Sequence, residues 1–241
     1  MRWLSIIFVF IFLVSCQKKE SLFQLIDSSL SGITFNNMLV PKDTANILDN
    51  EYFYNGGGVA VGDLNNDGLV DVYFTGNQVK NHLYLNLGQL KFKEVSVLSG
   101  AQKKENQWSS GVCIIDINSD GLNDIFVCNS LSPDSTKLKN NVFINQGIDK
   151  NGVPKFIDLA DDYGLGKPAN ANSCQFFDYD LDGDLDLFLT VNILDVQYPN
   201  QYYSKNLDGS SPTRDILFRQ DFAESIGHPV FKDVSLESSI V

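Results

Sequence analysis

A chain of 241 residues with 43% apolar content is long enough to bury a sizeable core. Its net charge of −12 argues against a nucleic-acid partner. Eleven of its thirty acidic residues lie in three short turns, so the acidity is local and not that of a solvated acidic tail.

The chain opens on a targeting segment. Arg2 gives a positive end, and Leu4 to Val14 is nearly all apolar but too short to persist as a bilayer-spanning helix. It closes with Leu13-Val14-Ser15-Cys16, which resembles the lipobox of bacterial lipoproteins. That resemblance implies a signal peptide over 1–15, a lipidated Cys16 as mature N-terminus, and a membrane partner through that anchor. The alternative is an ordinary cleaved secretion signal. Gln17-Lys18-Lys19-Glu20 has no aspartate at the second mature position. By the same resemblance this points to the outer membrane, and the charged stretch weakly to the cell surface. Residues 16–50 form a lead-in that either adds a strand completing a ring or leads away from the membrane.

Next comes a nine-residue turn, repeated three times: Asp63 to Asp71, Asp116 to Asp124 and Asp178 to Asp186. Each has an oxygen-bearing side chain at positions 1, 3, 5 and 9 and glycine at position 6. Alternate oxygens that converge across a glycine turn suit a hard cation, Ca²⁺ above all. Position 12 holds Phe74, Val127 and Leu189, so the bidentate glutamate of an EF-hand is missing. The turns contain no His or Cys, which makes zinc and copper poor fits. Mg²⁺ remains open, although its strict octahedral demand suits the turn less well.

Short apolar and β-branched runs flank every turn. Gly58–Gly62, Gly111–Ile115 and Ser173–Phe177 precede it, and Val72–Thr75, Ile125–Cys128 and Leu187–Thr190 follow. They read as strands, so each turn joins two strands. A third run (Leu83–Asn86, Val142–Asn145, Leu217–Gln220) and a fourth (Phe92–Val95, Phe156–Leu159, Phe231–Val234) complete each unit. Turn starts lie 53 and then 62 residues apart. Four-stranded units at this period predict an all-β propeller, with blades over about 51–104, 105–166 and 167–241. A β-sandwich ranks second. Three blades leave an open edge, so the ring is expected to be incomplete and the chain an N-terminal piece of a longer protein.

The third unit carries an insertion. Asp186 to Leu217 spans 31 residues, against 12 from Asp71 to Leu83 and 18 from Asp124 to Val142. Tyr198, Tyr202 and Tyr203 lie in it as possible ligand contacts, by stacking on a sugar or meeting a protein. The competing reading is a loop folded back on its own blade. Three cysteines remain, Cys113, Cys128 and Cys174, an odd number that forbids full pairing. Cys113 and Cys128 flank the second turn. They either pair there or, as preferred, pack as small apolar residues.

Asn55-Gly-Gly-Gly-Val-Ala-Val-Gly-Asp-Leu-Asn-Asn-Asp-Gly68, then Asp71 and Leu83-Tyr-Leu-Asn-Leu-Gly88, resembles the FG-GAP/VCBS repeat that builds the propeller of integrin α subunits. The wider text resembles bacterial surface proteins related to cartilage acidic protein, which often carry a C-terminal ASPIC/UnbV domain. The resemblance covers about residues 50–241, and no ASPIC/UnbV segment lies within it. It implies three structural Ca²⁺ sites. The first would use Asp63, Asn65, Asp67 and Asp71 with the carbonyl of Leu69. The second would use Asp116, Asn118, Asp120 and Asp124 with that of Leu122. The third would use Asp178, Asp180, Asp182 and Asp186 with that of Asp184. The third has the most charge and is expected to bind most tightly, unless repulsion distorts it.

No nucleophile motif, Walker loop or dinucleotide fingerprint is present. His82 and His228 read as loop or surface residues, and Trp108 as packing. The expected function is a non-catalytic calcium-binding propeller of a surface lipoprotein, binding a protein or polysaccharide in adhesion. The alternatives are a lyase-like polysaccharide enzyme built on such a scaffold, or a spacer for a further C-terminal domain.

Overall fold

The computed structural model describes residues 21–43, 46–48, 51–132, 134–192, 208–209, 211 and 214–240. Twelve strands occur among them. The first unit holds β1 (Val59–Gly62), β2 (Asp71–Phe74), β3 (His82–Asn86) and β4 (Phe92–Glu94). The second holds β5 (Trp108–Ile115), β6 (Asp124–Ser130), β7 (Asn141–Ile148) and β8 (Pro154–Asp158). The third holds β9 (Ala171–Phe177), β10 (Asp186–Val191), β11 (Ile216–Ala223) and β12 (His228–Asp233). Single helical turns, α1 (Ser28–Ser31) and α2 (Ser96–Ser99), end in left-handed Gly32 and Gly100. No helix among the described residues is long and apolar enough to cross a membrane.

Each unit is its own four-stranded sheet, a meander in sequence order. All pairs are antiparallel, as in Val59↔Phe74, Val112↔Val127 and Leu187↔Phe218. The all-β expectation, the four-stranded blade and the open ring are all met.

The core lies between sheets, because side chains alternate faces along a strand. β6 is buried at every position. Its Ile125 and Val127 join Leu64, Tyr73, Leu83 and Phe143 in one layer. Its Phe126 and Cys128 join Ala171, Leu187, Leu189 and Phe231 in the other. The middle blade is thus packed on both faces, which explains a near-continuous apolar run in place of alternation. The leading strands approach very closely. A Cβ on Gly111 would stand 2.5 Å from the Asn172 carbonyl oxygen, a contact only glycine permits. Tyr73, fully buried, spans the first two blades and donates to the Ala101 carbonyl at 2.7 Å.

The described part of the lead-in adds no strand to any of the three sheets. Residues 21–41 form no strand. Instead, Ile33, Phe35, Asn37 and the residue at 39 are half-buried, while their neighbours are exposed. Phe35 stacks on Phe74 at 4.9 Å, the Thr34 N–H donates to the Tyr84 hydroxyl at 3.3 Å, and Asn37 Nδ2 donates to Asn77 Oδ1 at 2.6 Å. The segment therefore covers the face of blade one that points away from blade two.

The histidines differ from expectation as well. His82 opens β3 and His228 opens β12, both half-buried. His228 stacks on Tyr163 at 4.6 Å, and His82 lies beside Phe35 and Tyr84. Aromatic neighbours distant in sequence draw them into the sheets.

Candidate metal centre

All three acidic turns link the first and second strands of a blade, and all close in the same way. The position-1 carboxylate accepts from the backbone N–H groups of positions 5 and 6. These distances are 3.2 and 2.8 Å at Asp63, 3.1 and 2.8 Å at Asp116, and 3.1 and 3.2 Å at Asp178. The position-5 carboxylates of Asp67, Asp120 and Asp182 accept from the N–H of position 7, at Leu69, Leu122 and Asp184. Gly68, Gly121 and Gly183 have φ of +83°, +84° and +100°, where a side chain would be strained. Position 4 is left-handed too, at Asn66, Ser119 and Leu181. That second kink is not visible as a glycine in the sequence.

Position 9 does more than present a ligand oxygen. Asp71, Asp124 and Asp186 are each fully buried. One oxygen accepts from the position-2 N–H, at Leu64, Ile117 and Tyr179, each at 2.9 Å. The other accepts from the third strand, at Asn86 (2.8 Å), Asn145 (2.7 Å) and Gln220 (2.9 Å). The same carboxylate pins the turn and the neighbouring strand.

Burial dominates the electrostatics. It pushes the Asp71 carboxyl up to about 6 and Asp124 up to about 7, with the turn's other carboxylates adding and two N–H donors opposing. Asp186 is raised for the same leading reason. Asp184 rises to about 6 through burial and then the charge of Asp182. Among the described residues no Lys or Arg pairs with any of these eleven carboxylates.

The donor set fits a hard cation. Asn65 Oδ1, at position 3 of the first turn, and Asp184 Oδ1 are buried oxygens without a hydrogen-bond partner. Leaving such atoms unpaired is costly, and a divalent ion held in the turn would offset that cost. In the third turn, oxygens of Asp178, Asp180 and Asp186 lie within 4.8 Å of one another. In the first two turns the position-3 amides of Asn65 and Asn118 donate to Asp67 and Asp120, each at 2.9 Å. Asp180 cannot donate in that way, so the third turn gathers bare carboxylates.

The family comparison follows the turns. The FG-GAP-like repeat matches residues 63–127 and again 116–189, each time from the first aspartate of one turn into the strand beyond the next. Together these cover more than half the chain. The chain belongs to the FG-GAP-like repeat family. No curated protein matches it.

Further features of this FG-GAP chain come from the structure alone. The first two turns are tied together. Asn123 Nδ2 donates to the Asp63 carbonyl at 2.8 Å, and Asn145 Nδ2 donates to the carbonyls of Leu64 (2.9 Å) and Asn123 (3.0 Å). The sequence holds a trace of this in the asparagine that ends the third run at both Asn86 and Asn145. A cavity of about 820 Å³ opens where the lead-in meets the first two blades, with Lys42, Lys80, Lys103, Lys104 and Trp108 on its wall. Four lysines from three separate segments make this cluster, which no local motif announces. Lys103 is buried and donates to the carbonyls of Gly76, Asn77 (2.8 Å) and Gln107 (2.6 Å). Burial pushes its amine down to about 7. Trp108 packs on Phe53 at 5.4 Å and also borders the cavity. Cys16, Tyr198, Tyr202 and Tyr203 lie outside the described residues.

Proposed function

We propose that this FG-GAP repeat protein is a calcium-clamped, non-catalytic binding scaffold, exported and held at a membrane by a lipid on Cys16. One observation carries the calcium reading: three turns close in the same way, and the third brings carboxylate oxygens of Asp178, Asp180 and Asp186 within 4.8 Å of one another. Ca²⁺ supplies the positive charge that buried Asp71, Asp124 and Asp186 otherwise lack, and so fastens strand one to strand two in every blade. Each site adds about 2.7 kcal/mol at a hundredfold excess of ion over its Kd. Calorimetric titration of the full chain should find about three sites, and chelation by EDTA should lower Tm by several degrees. A melting curve indifferent to both calcium and chelator would end the reading.

For the ligand, Lys42 and Lys80 on the cavity wall, set against Glu105, favour an acidic glycan over a neutral one. An array of uronate-bearing, sulfated and neutral polysaccharides, with a parallel protein pull-down, distinguishes glycan adhesion from protein contact. Appearance of an unsaturated uronate product during incubation would move the assignment to a lyase.

A further inference from the structure

Three cysteines that the sequence scatters over more than sixty residues meet at the junction of blades two and three. Cys113 and Cys128 flank one turn but do not face each other. The cross-strand partner of Cys113 is Phe126, so Cys128, two residues further along β6, does not stand opposite it. The neighbour of Cys113 lies instead in the next blade. Its Sγ is 3.1 Å from Cys174 Sγ, about 1 Å beyond a ~2.05 Å disulfide bond. Its thiol also points at the Cys174 carbonyl, at 3.0 Å. The backbones already run close enough, because Gly111 lets β5 approach β9 at Asn172 and Ser173.

We propose that Cys113 and Cys174 form a disulfide staple between consecutive blades, leaving Cys128 as a buried free thiol. The oxidant is a disulfide, small or protein-borne. Cys113, half-buried and the more accessible of the two, attacks as thiolate and releases one thiol. The sulfur of Cys174 then displaces the second thiol from the mixed disulfide. Two cysteine protons and two electrons leave with the two reduced thiols, and one S–S bond forms for the one consumed. In the finished fold both thiols are held far above the ordinary cysteine range, Cys113 by the shared proton of Cys174 and by burial. A thiol so held is a poor nucleophile, so the staple closes while blades two and three are docking. The same burial shields the bond from reductants afterwards. The bond closes a loop of some sixty residues, the kind of long closure that most restricts the unfolded chain.

The test is to refold the full chain in a glutathione redox buffer and map its disulfides. Trypsin leaves Cys113 and Cys128 on one peptide, Glu105 to Lys137, so cleavage before Asp116, Asp120 and Asp124 is needed. The expected result is a Cys113–Cys174 peptide pair, Cys128 alkylated only after denaturation, and a Tm about 5 °C higher oxidised than reduced. Cys128→Ser should keep the pair and the shift, and Cys113→Ser or Cys174→Ser should lose both. All three thiols alkylated after oxidative refolding, or a bond to Cys128, overturns the proposal. So does a Tm shift that survives in Cys174→Ser.

Discussion

At the scale of single residues, two kinds of polar side chain around the acidic turns do different work. Asp120 is exposed and shapes only its own turn. Asn145 is buried and gives both amide hydrogens to carbonyls of two different turns, while its oxygen accepts from Gly147 at 3.0 Å. Replacing Asn145 with alanine orphans two buried carbonyls and one N–H, so it should cost about 2–3 kcal/mol, equally in calcium and in EDTA. Asp120→Asn should behave in the opposite way. In EDTA it should change stability by about 0.5 kcal/mol or less, because surface polar exchanges seldom do more. In calcium it should remove most of one site's share of stabilisation. Paired urea melts of both variants, with and without chelator, separate a structural amide from an ion ligand. Equal calcium dependence in the two variants would contradict this assignment.

At the scale of the strand–turn–strand element, the balance at position 9 sets a pH dependence. Two N–H donors favour the charged carboxylate, and burial opposes it and wins, holding Asp71 at about 6 and Asp124 at about 7. A carboxyl raised in the fold binds its proton more tightly there than in the unfolded chain, whose value is near 3.9. The stability so gained is whole below that unfolded value and disappears as pH rises through 6 and 7. With EDTA present, Tm should therefore fall between about pH 5 and about pH 7, above which Lys103, held down to about 7 by burial, acts in the opposite sense. Calcium, which holds the carboxylates charged, should flatten the fall. The range stays above about pH 5 because Asp221 and Asp233, lowered by their cationic partners, act in the opposite sense in acid. A Tm rising with pH in EDTA would mean the two donors outweigh burial. Much of this element was legible beforehand. Glycine at position 6 and oxygens at alternate positions located the turn, and apolar runs on either side located both strands. The left-handed position 4 was not legible, since Asn66, Ser119 and Leu181 share no side-chain property that declares it. Nor was the second role of Asp71, Asp124 and Asp186, because the strand N–H groups that they accept from lie 15, 21 and 34 residues away.

At the scale of the molecule, the question is how each blade's second face is covered. Blade two has neighbours on both faces, and its central strand reads as an apolar block. Blade one has blade two on one side only. Tyr73, Leu83 and Leu85 point there, which by alternation turns Phe74, His82 and Tyr84 the other way. Those aromatic groups meet the lead-in, with Phe35 stacked on Phe74 and 5.4 Å from His82. The sequence carries only a broken trace of this contact: Ile33, Phe35 and Leu39 sit at period two, but Asn37 interrupts the set and Met38 and Val40 place apolar residues on the opposite face. The lead-in is thus part of the folded unit and not a passive tether. Phe35→Ala should cost about 2 kcal/mol, below the full core value because the ring is only half-buried. It should also increase binding of a hydrophobic dye by baring Phe74 and Tyr84. Asn36→Ala, next in the chain but facing solvent, should leave both readings unchanged. Melting and dye titration of the two variants side by side decide the matter: matching curves would mean that the segment rests on blade one without stabilising it.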